Sequence, residues 1–335
     1  MSKLMLPAII KQRYTVQIPE GFTPIYTWQD LHNVRDDVSA DYILMNNLDS
    51  NSTGYSTYGA NWEPISNTDF GGFTGRFDGN GKIISDLKMD YTEFQQGRNG
   101  FGMFGAIGPP CLIENLGLRN IDYNIKTSGA ISGDIATGGL VAYALDSFSG
   151  LATIENCFVD GGEIRGTSYI GAFLGWGMAD IRDCYANINI THSTDGDGGD
   201  GMIRPSGFQA VAQYMNQTGP FTGTSLDRCY SACTIDDSMM QPGVSPAGIL
   251  FLDDNSSIDA SSVFWDTDIG PASAGDISAF GRATSLMQRI TTYIAGPADP
   301  DPYDIVAKQN HDGKEDTAIW FIDHTNDYPR LWFER

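Results

Sequence analysis

The chain has 335 residues, of which 39 are glycine and only 19% are charged. This length is large for one compact core, and the frequent glycine, aromatic and β-branched residues favour an all-β protein with many turns. The formal net charge of −22 repels phosphate backbones and anionic lipid, so we expect no nucleic-acid partner and no membrane association. Solubility is the simplest role of this charge, and cation binding is the functional alternative.

Residues 1–24 match none of the repeats described below. We expect them to form an arm that anchors the protein to a larger particle, with a disordered leader as the alternative. The apolar stretch from Leu4 to Ile10 is short, contains Pro7 and lacks a small-residue cleavage site, so no secretory signal is predicted. No apolar run reaches the roughly 18 residues that a membrane-spanning helix needs.

Residues 25–60 are predicted to form an N-terminal cap that consists of a helix and a first strand. The apolar residues between 28 and 38 have helical spacing, Thr27 is a candidate N-cap, and Asp30 falls in the first turn. Residues 42–48 read as a strand. Such a cap is needed because the first strand of a stacked repeat otherwise exposes an unpaired edge.

Two motifs alternate along residues 61–268. Residues 78–81, Asp-Gly-Asn-Gly, are predicted to make a tight turn between the first strands. An apolar run after a glycine occurs at 102–107, 138–144, 170–176, 207–212 and 247–252. Downstream of these runs, an apolar residue, two polar residues and an apolar triplet recur at 113–118, 154–159, 181–186 and 226–231, with a looser copy ending at Trp265. Two motifs repeating in one order, at unequal gaps, predict a single-stranded right-handed parallel β-helix with variable loops.

Stacking these repeats about 4.8 Å apart would align equivalent side chains in ladders. One buried aliphatic ladder is predicted from Ile113, Ile154, Ile181 and Leu226. A second consists of Leu116, Cys157, Cys184, Cys229 and Val263, in which the thiols act as small apolar groups and a metal or disulfide site is the alternative. Asn115, Asn156 and Asp183 share one position and are predicted to form the corners of successive repeats, since these residues tolerate left-handed backbone.

Residues 269–335 are predicted to form a C-terminal cap. They contain a helix-like segment at 283–288, an apolar run at 319–323 and the sequence Tyr-Pro-Arg-Leu-Trp-Phe at 328–333.

Taken together, residues 62–65, 73–87, 102–107, 113–118 and 263–268 resemble the GLUG-motif, filamentous-haemagglutinin-like β-helix proteins of bacteria. The resemblance covers roughly residues 25–335. It implies the β-helix fold and a surface, adhesin-like or phage structural role, and it supplies no catalytic residues. Without an export signal, the resemblance favours a virion component over an ordinary secreted adhesin.

Few residues indicate chemistry. Asp195, Asp197 and Asp200 alternate with glycine in an acidic loop that could wrap Ca²⁺, although the spacing differs from that of an EF-hand and a flexible acidic loop is the alternative. None of the four histidines lies in a nucleophile motif. Exposed aromatic residues such as Tyr55, Tyr58 and Trp176 could stack on sugars, with a place inside the fold as the alternative.

We therefore expect a non-enzymatic structural or adhesive protein of a phage particle, such as a tail fibre, tail spike, receptor-binding or head-decoration protein. Its partners would be other virion proteins, through the arm, and a host glycan or protein. A homotrimer is possible by analogy. An exported bacterial surface adhesin and a polysaccharide-degrading β-helix enzyme are the alternatives.

Overall fold

The computed structural model describes residues 18–67, 72–91, 100–126, 135–146, 150–192, 204–212, 225–236, 245–252, 258–277, 279–294, 303–307, 318–323 and 327–334. Most of these residues lie in or between the strands of three parallel sheets and one small mixed sheet. The helices within them are short: the α-helices Trp28–His32 and Thr284–Met287, and the 3₁₀ turns Asn33–Asp36, Gly59–Asn61, Ile290–Thr292 and Trp332–Glu334.

The largest sheet, called the long sheet below, is parallel throughout the pairs that the structure describes. Two strands per repeat join it, on either side of a corner. Its fifteen strands are Phe22–Ile25, Asp41–Leu44, Arg76–Ser85, Lys88–Tyr91, Leu112–Ile125, Ala152–Glu155, Phe158–Gly166, Ala179–Arg182, Tyr185–His192, Ser225–Asp227, Tyr230–Ser231, Thr234–Ile235, Asp259–Ser261, Phe264–Asp266 and Phe280–Arg282.

Two further parallel sheets take one strand from each repeat. The four-stranded sheet consists of Gly100–Phe101, Ala136–Gly138, Tyr169–Gly171 and Arg204–Ser206. The five-stranded sheet consists of Phe104–Ile107, Val141–Ala144, Leu174–Gly177, Gln209–Ala212 and Leu250–Leu252. Each repeat visits the four-stranded sheet, the five-stranded sheet and then the long sheet in that order, so the sequence repeat is also a repeat of strand pairing.

Equivalent residues of successive repeats are paired with each other in the sheets. Ile154 lies opposite Ile113 on one neighbouring strand and Ile181 on the other, and Ile181 lies opposite Leu226. All four side chains are almost completely buried, and burying an aliphatic side chain of this size contributes about 1.5–3 kcal/mol. Phe173 and Phe208 stack in the same way, with ring centroids 4.8 Å apart. The core is therefore a series of ladders that run perpendicular to the strands.

Residues with positive φ form the corners of the long sheet, either between two strands of one repeat or, at Asn115, inside the continuous strand Leu112–Ile125. The value is +53° at each of Asn115, Asn156 and Asp183, and it is +48° at Arg228, the equivalent residue of the next repeat. The predicted turn at 78–81 is a corner of the same kind and was wrongly placed between two strands. Asn80 and Gly81 have positive φ inside the continuous strand Arg76–Ser85, because the chain bends there without reversing.

The N-terminal cap contributes more strands to the long sheet than the sequence predicts. Thr27 caps the helix Trp28–His32 through a capping box with Asp30, and the predicted helix gives way to a 3₁₀ turn after His32. The strand Phe22–Ile25 pairs with Asp41–Leu44. The end of the predicted arm at 1–24 therefore belongs to the long sheet, and residues 1–17 lie outside the described residues.

The C-terminal region does more than cover the last repeat. Residues 280–282 extend the long sheet, but residues 303–307, 318–323 and 327–334, here called the strap, return along the outer side of that sheet. Three strap strands form the small mixed sheet, Ile305–Ala307, Trp320–Ile322 and Arg330–Leu331. The strap lies on aromatic rings that follow the corners, and Phe158, Tyr185, Tyr230 and Phe264 are paired in register. A cap of the end alone would not make these contacts.

Candidate functional site

The thiols occupy an interior ladder. All five cysteines are free and buried, and the backbone N–H of Cys157 lies 3.4 Å from the sulfur of Cys184. Burial raises the pKa of the Cys184 thiol well above its ordinary value, and it raises the pKa of Cys233 to about 11. Because the thiolate is the reactive form, these groups have the character of packing residues rather than of a redox or metal site. Leu116 and Val263, predicted for the same ladder, are also buried.

Charged residues beside the corners pair across neighbouring repeats. Arg76 contacts Glu114, and Nε of Arg182 donates to Glu155 at 2.5 Å. These pairs are partly exposed, and each contributes at most about 1 kcal/mol. Their effect is to hold the acidic outer surface in a fixed pattern.

The corner residue Asp183 has a different environment. Nε and Nη2 of Arg228 each donate to its carboxylate at 2.8 Å, and the pair is buried beneath the strap. The indole N–H of Trp320 donates to the same carboxylate at 3.0 Å. The corner conformation predicted for Asp183 is therefore kept where the strap crosses it, while its side chain bonds to Arg228 and Trp320.

A second polar cluster lies under the end of the strap. The hydroxyl of Tyr185 donates to Glu334 at 2.8 Å, and Nη2 of Arg119 donates to the same carboxylate at 2.9 Å. Nη1 of Arg330 donates to Asp160 at 2.6 Å. Burial raises the pKa of Glu334 to about 7, against the opposing effect of Arg330.

The cluster contains two carboxyl groups, those of Glu334 and Asp160, in different environments. Acid–base catalysis requires an arrangement of this kind. The side chain of Glu334 is only 2% exposed, however, and Trp332 and Phe333 of the strap precede it. A polymeric substrate could not reach this carboxyl while the strap is in place. The cluster is therefore better suited to fastening the strap than to cleaving a glycan.

An open cleft lies at the other end of the protein, between the N-terminal cap and the first repeat. Its volume is about 500 Å³, within the range of roughly 300–1,000 Å³ that is typical of ligand sites. The residues that line this N-terminal cleft are Arg35, Asp36, Asp37, Val38, Glu63, Pro64, Ser66, Asn67 and Gly100.

Ring contacts and hydrogen bonds hold the residues of the cleft in place. The guanidinium of Arg35 lies 4.3 Å from the centroid of the buried Trp62 ring, and the indole N–H of Trp62 donates to the carbonyl of Met103 at 3.1 Å. Asp37 accepts hydrogen bonds from Ser39 that lower the pKa of its carboxyl. The cleft therefore has fixed walls in which charged and polar groups face a common space.

Several residues singled out in the sequence fall outside the site. Asp195, Asp197 and Asp200 lie outside the described residues, so Ca²⁺ binding there stays a prediction. Among the residues that the structure does describe, no cluster of three or more His, Cys, Asp or Glu side chains is arranged to hold a metal. In the same part of the chain, no helix is long and apolar enough to cross a membrane. Trp176 packs against Tyr169, with ring centroids 4.9 Å apart.

Little in the amino-acid sequence indicates either polar region. Arg35, Asp36 and Glu63 are ordinary charged residues in non-repeating segments, and Arg330 and Glu334 lie near the end of a chain whose path cannot be read from a repeat. Only the change of corner residue, from asparagine to Asp183 and Arg228, indicates where the strap lies.

Comparisons with known proteins agree with the fold but assign no family. No protein-family model matches the chain. Halomucin of Haloquadratum walsbyi (strain DSM 16790 / HBSQ001) is 28% identical over 156 residues, which are 41% of this chain and 2% of halomucin. The chain thus spans a very small part of that relative.

One solved structure is similar over nearly its whole length. A “putative immunoglobulin A1 protease” from Bacteroides ovatus superposes with a TM-score of 0.51 at 15% identity, covering 93% of this chain and 92% of that chain. At this identity the similarity concerns the fold alone. The chain is thus a mostly β protein with long parallel sheets, similar in fold to the Bacteroides ovatus protein.

Proposed function

We propose that the three parallel sheets close into a right-handed parallel β-helix, and that this body is a non-enzymatic structural and adhesive component of a virion. The in-register pairing of equivalent strands carries the proposal. Each full repeat adds one strand to each of the two smaller sheets and two strands to the long sheet, at the ordinary strand spacing, so the body grows in one direction and presents long, regular faces.

Two features of the described residues support a display function. Outward charges pair between neighbouring repeats, as in Arg182 with Glu155, which fixes the surface without forming a reactive centre. The strap fastens the outer side of the long sheet through buried contacts that include Trp320 and Glu334. A body fastened in this way is suited to carry load and to present binding sites at its ends.

The location is tested by following the protein in its own producing culture. We expect mass spectrometry of density-purified phage particles to detect it in a constant ratio to the major capsid protein. Recovery only in washed cell envelopes would replace the virion by a cell surface, and recovery only in the cytosol would contradict display altogether.

Catalysis is tested separately. The purified protein is incubated with host capsule and lipopolysaccharide, and new reducing ends are measured. We expect none. If reducing ends appear and are lost in the Glu334→Gln variant, the protein is a polysaccharide-degrading enzyme with its acid group beneath the strap.

A further inference from the structure

We propose that the N-terminal cleft binds an uncharged saccharide. This inference deepens the proposed adhesive function and rests on it, since it names the place and the chemical class of the ligand. It is carried by the shape of the cleft, by its charge, and by a buried hydroxyl group that has no hydrogen-bond partner among the residues that the structure describes.

The cleft has the size and the mixed lining of a small-ligand site. Its volume of about 500 Å³ lies within the usual range for such sites. Val38 and Pro64 provide apolar surface, and charged and amide side chains stand beside them. Sugar rings present C–H groups on one side and hydroxyl groups at the rim, so this combination of surfaces suits them.

The charge of the cleft selects against anionic ligands. Asp36, Asp37 and Glu63 face one guanidinium, that of Arg35, so the lining carries more negative than positive charge. A sulfated or carboxylated sugar, or a nucleotide, would be repelled. Carboxylates accept hydrogen bonds from adjacent hydroxyl groups of a neutral sugar, and charge-assisted bonds of this kind are stronger than neutral ones.

Ser66 provides the third observation. Its hydroxyl oxygen is buried and has no hydrogen-bond partner in the described part of the chain, although a buried polar group without one costs about 1–3 kcal/mol. Its backbone has a φ of +61°, which is uncommon for a residue other than glycine. A ligand hydroxyl that bonds to this oxygen would supply the missing partner, and the cost of leaving the oxygen unpaired would then be recovered on binding.

The supporting residues keep these groups in place before a ligand arrives. Arg35 is stacked on Trp62, and Trp62 is tied to Met103. Asp37 is held by the turn to Ser39. Because little side-chain freedom remains to be lost, binding requires less ordering than it would at a mobile surface.

The test uses the full chain on immobilised oligosaccharides that fall into neutral, amino-sugar and acidic sets, with the dissociation constant of each positive ligand measured in solution. We expect binding to the neutral set, weakened at least tenfold by Asp36→Asn and by Glu63→Gln. A tenfold change corresponds to about 1.4 kcal/mol. Ser66→Gly should also weaken binding while removing the unfavourable φ.

Controls separate local from general effects. Glu20 is exposed and lies outside the cleft, so Glu20→Gln makes the same change of charge and should bind as the unchanged chain does. Ser262 also has a positive φ, +54°, and Ser262→Gly is the matched control for Ser66→Gly. Thermal unfolding of each variant establishes that it is folded.

Each alternative result is decisive. Binding of neutral sugars that the cleft variants leave unchanged overturns the site but leaves the adhesive function standing. Preference for the acidic set or for the amino-sugar set overturns the ligand class, and absence of binding to every set overturns the inference. The proposed function fails on a different measurement, the absence of the protein from particles and cell surfaces.

Discussion

Trp320 donates its indole N–H to the carboxylate of Asp183 at 3.0 Å, across 137 positions of the chain. The same carboxylate accepts two hydrogen bonds from Arg228, each at 2.8 Å. One corner of the repeat therefore contributes both to the stacking of the sheet and to the attachment of the strap.

This contact predicts that Asp183→Asn is strongly destabilising. Asparagine keeps the tolerance for positive φ, but Arg228 then loses the carboxylate to which two of its nitrogens donate and keeps the longer ion pair with Asp227 at 3.6 Å. Breaking a buried ion pair costs about 3–5 kcal/mol, and the remaining pair with Asp227 should keep the loss near the lower end of this range. The free energy of unfolding in urea measures the loss. Asp122→Asn is the control, because Asp122 pairs with Lys88 at 3.1 Å in an exposed position and should contribute less than about 1 kcal/mol. Equal losses in the two variants would contradict the anchoring role of Asp183.

Glu334 makes the stability of the protein depend on pH. Burial raises the pKa of its carboxyl to about 7, above the ordinary value of about 4.3 that holds in the unfolded chain. A raised pKa favours the folded state when the group is protonated. Its contribution is therefore complete below about pH 4 and is lost as the pH rises through about 7. The strap should be held more firmly at pH 5 than at pH 8.

The contribution of Glu334 is isolated by comparing the free energy of unfolding of the unchanged chain with that of Glu334→Gln, because the other carboxyl groups titrate equally in both. Between pH 5 and pH 8, the unchanged chain should lose about 2 kcal/mol more of its free energy of unfolding than the variant loses. Urea unfolding at the two pH values measures this difference. Parallel pH profiles would show that Tyr185, Arg119 and Arg330 hold Glu334 ionised in the folded protein.

The corners can be tested with two substitutions at one position. Asn156→Ala and Asn156→Gly both remove the hydrogen bond that its amide donates to Asn115 at 3.3 Å. Only alanine places a Cβ on a backbone with a φ of +53°. We expect Asn156→Ala to be less stable than Asn156→Gly by about 1 kcal/mol, measured by urea unfolding. Equal stabilities would mean that the amide contact, and not the backbone conformation, selects asparagine here.

The sequence predicts what the repeat determines and little beyond it. Ile113, Ile154 and Ile181 recur with the same neighbours, so their alignment follows from counting residues. Asn115 and Asn156 mark corners because few other residues accept that backbone. The contact between Tyr185 and Glu334 joins positions 149 residues apart, and no period relates them. The N-terminal cleft likewise combines two segments that do not repeat, so its residues cannot be recognised from spacing.

The thiol ladder leads to the last prediction. All five cysteines are buried, which restricts the access of a reagent to each of them. Burial also raises the pKa of the Cys111, Cys184 and Cys233 thiols, which disfavours their reactive thiolate form. We expect none of the five to react with Ellman's reagent in the folded protein at pH 8, and all five to react in guanidinium chloride. A thiol introduced by Glu20→Cys, at an exposed position, supplies the rate for a free surface group. If a native cysteine reacts at that rate in the folded protein, the ladder contains an open redox site and is not simply part of the core.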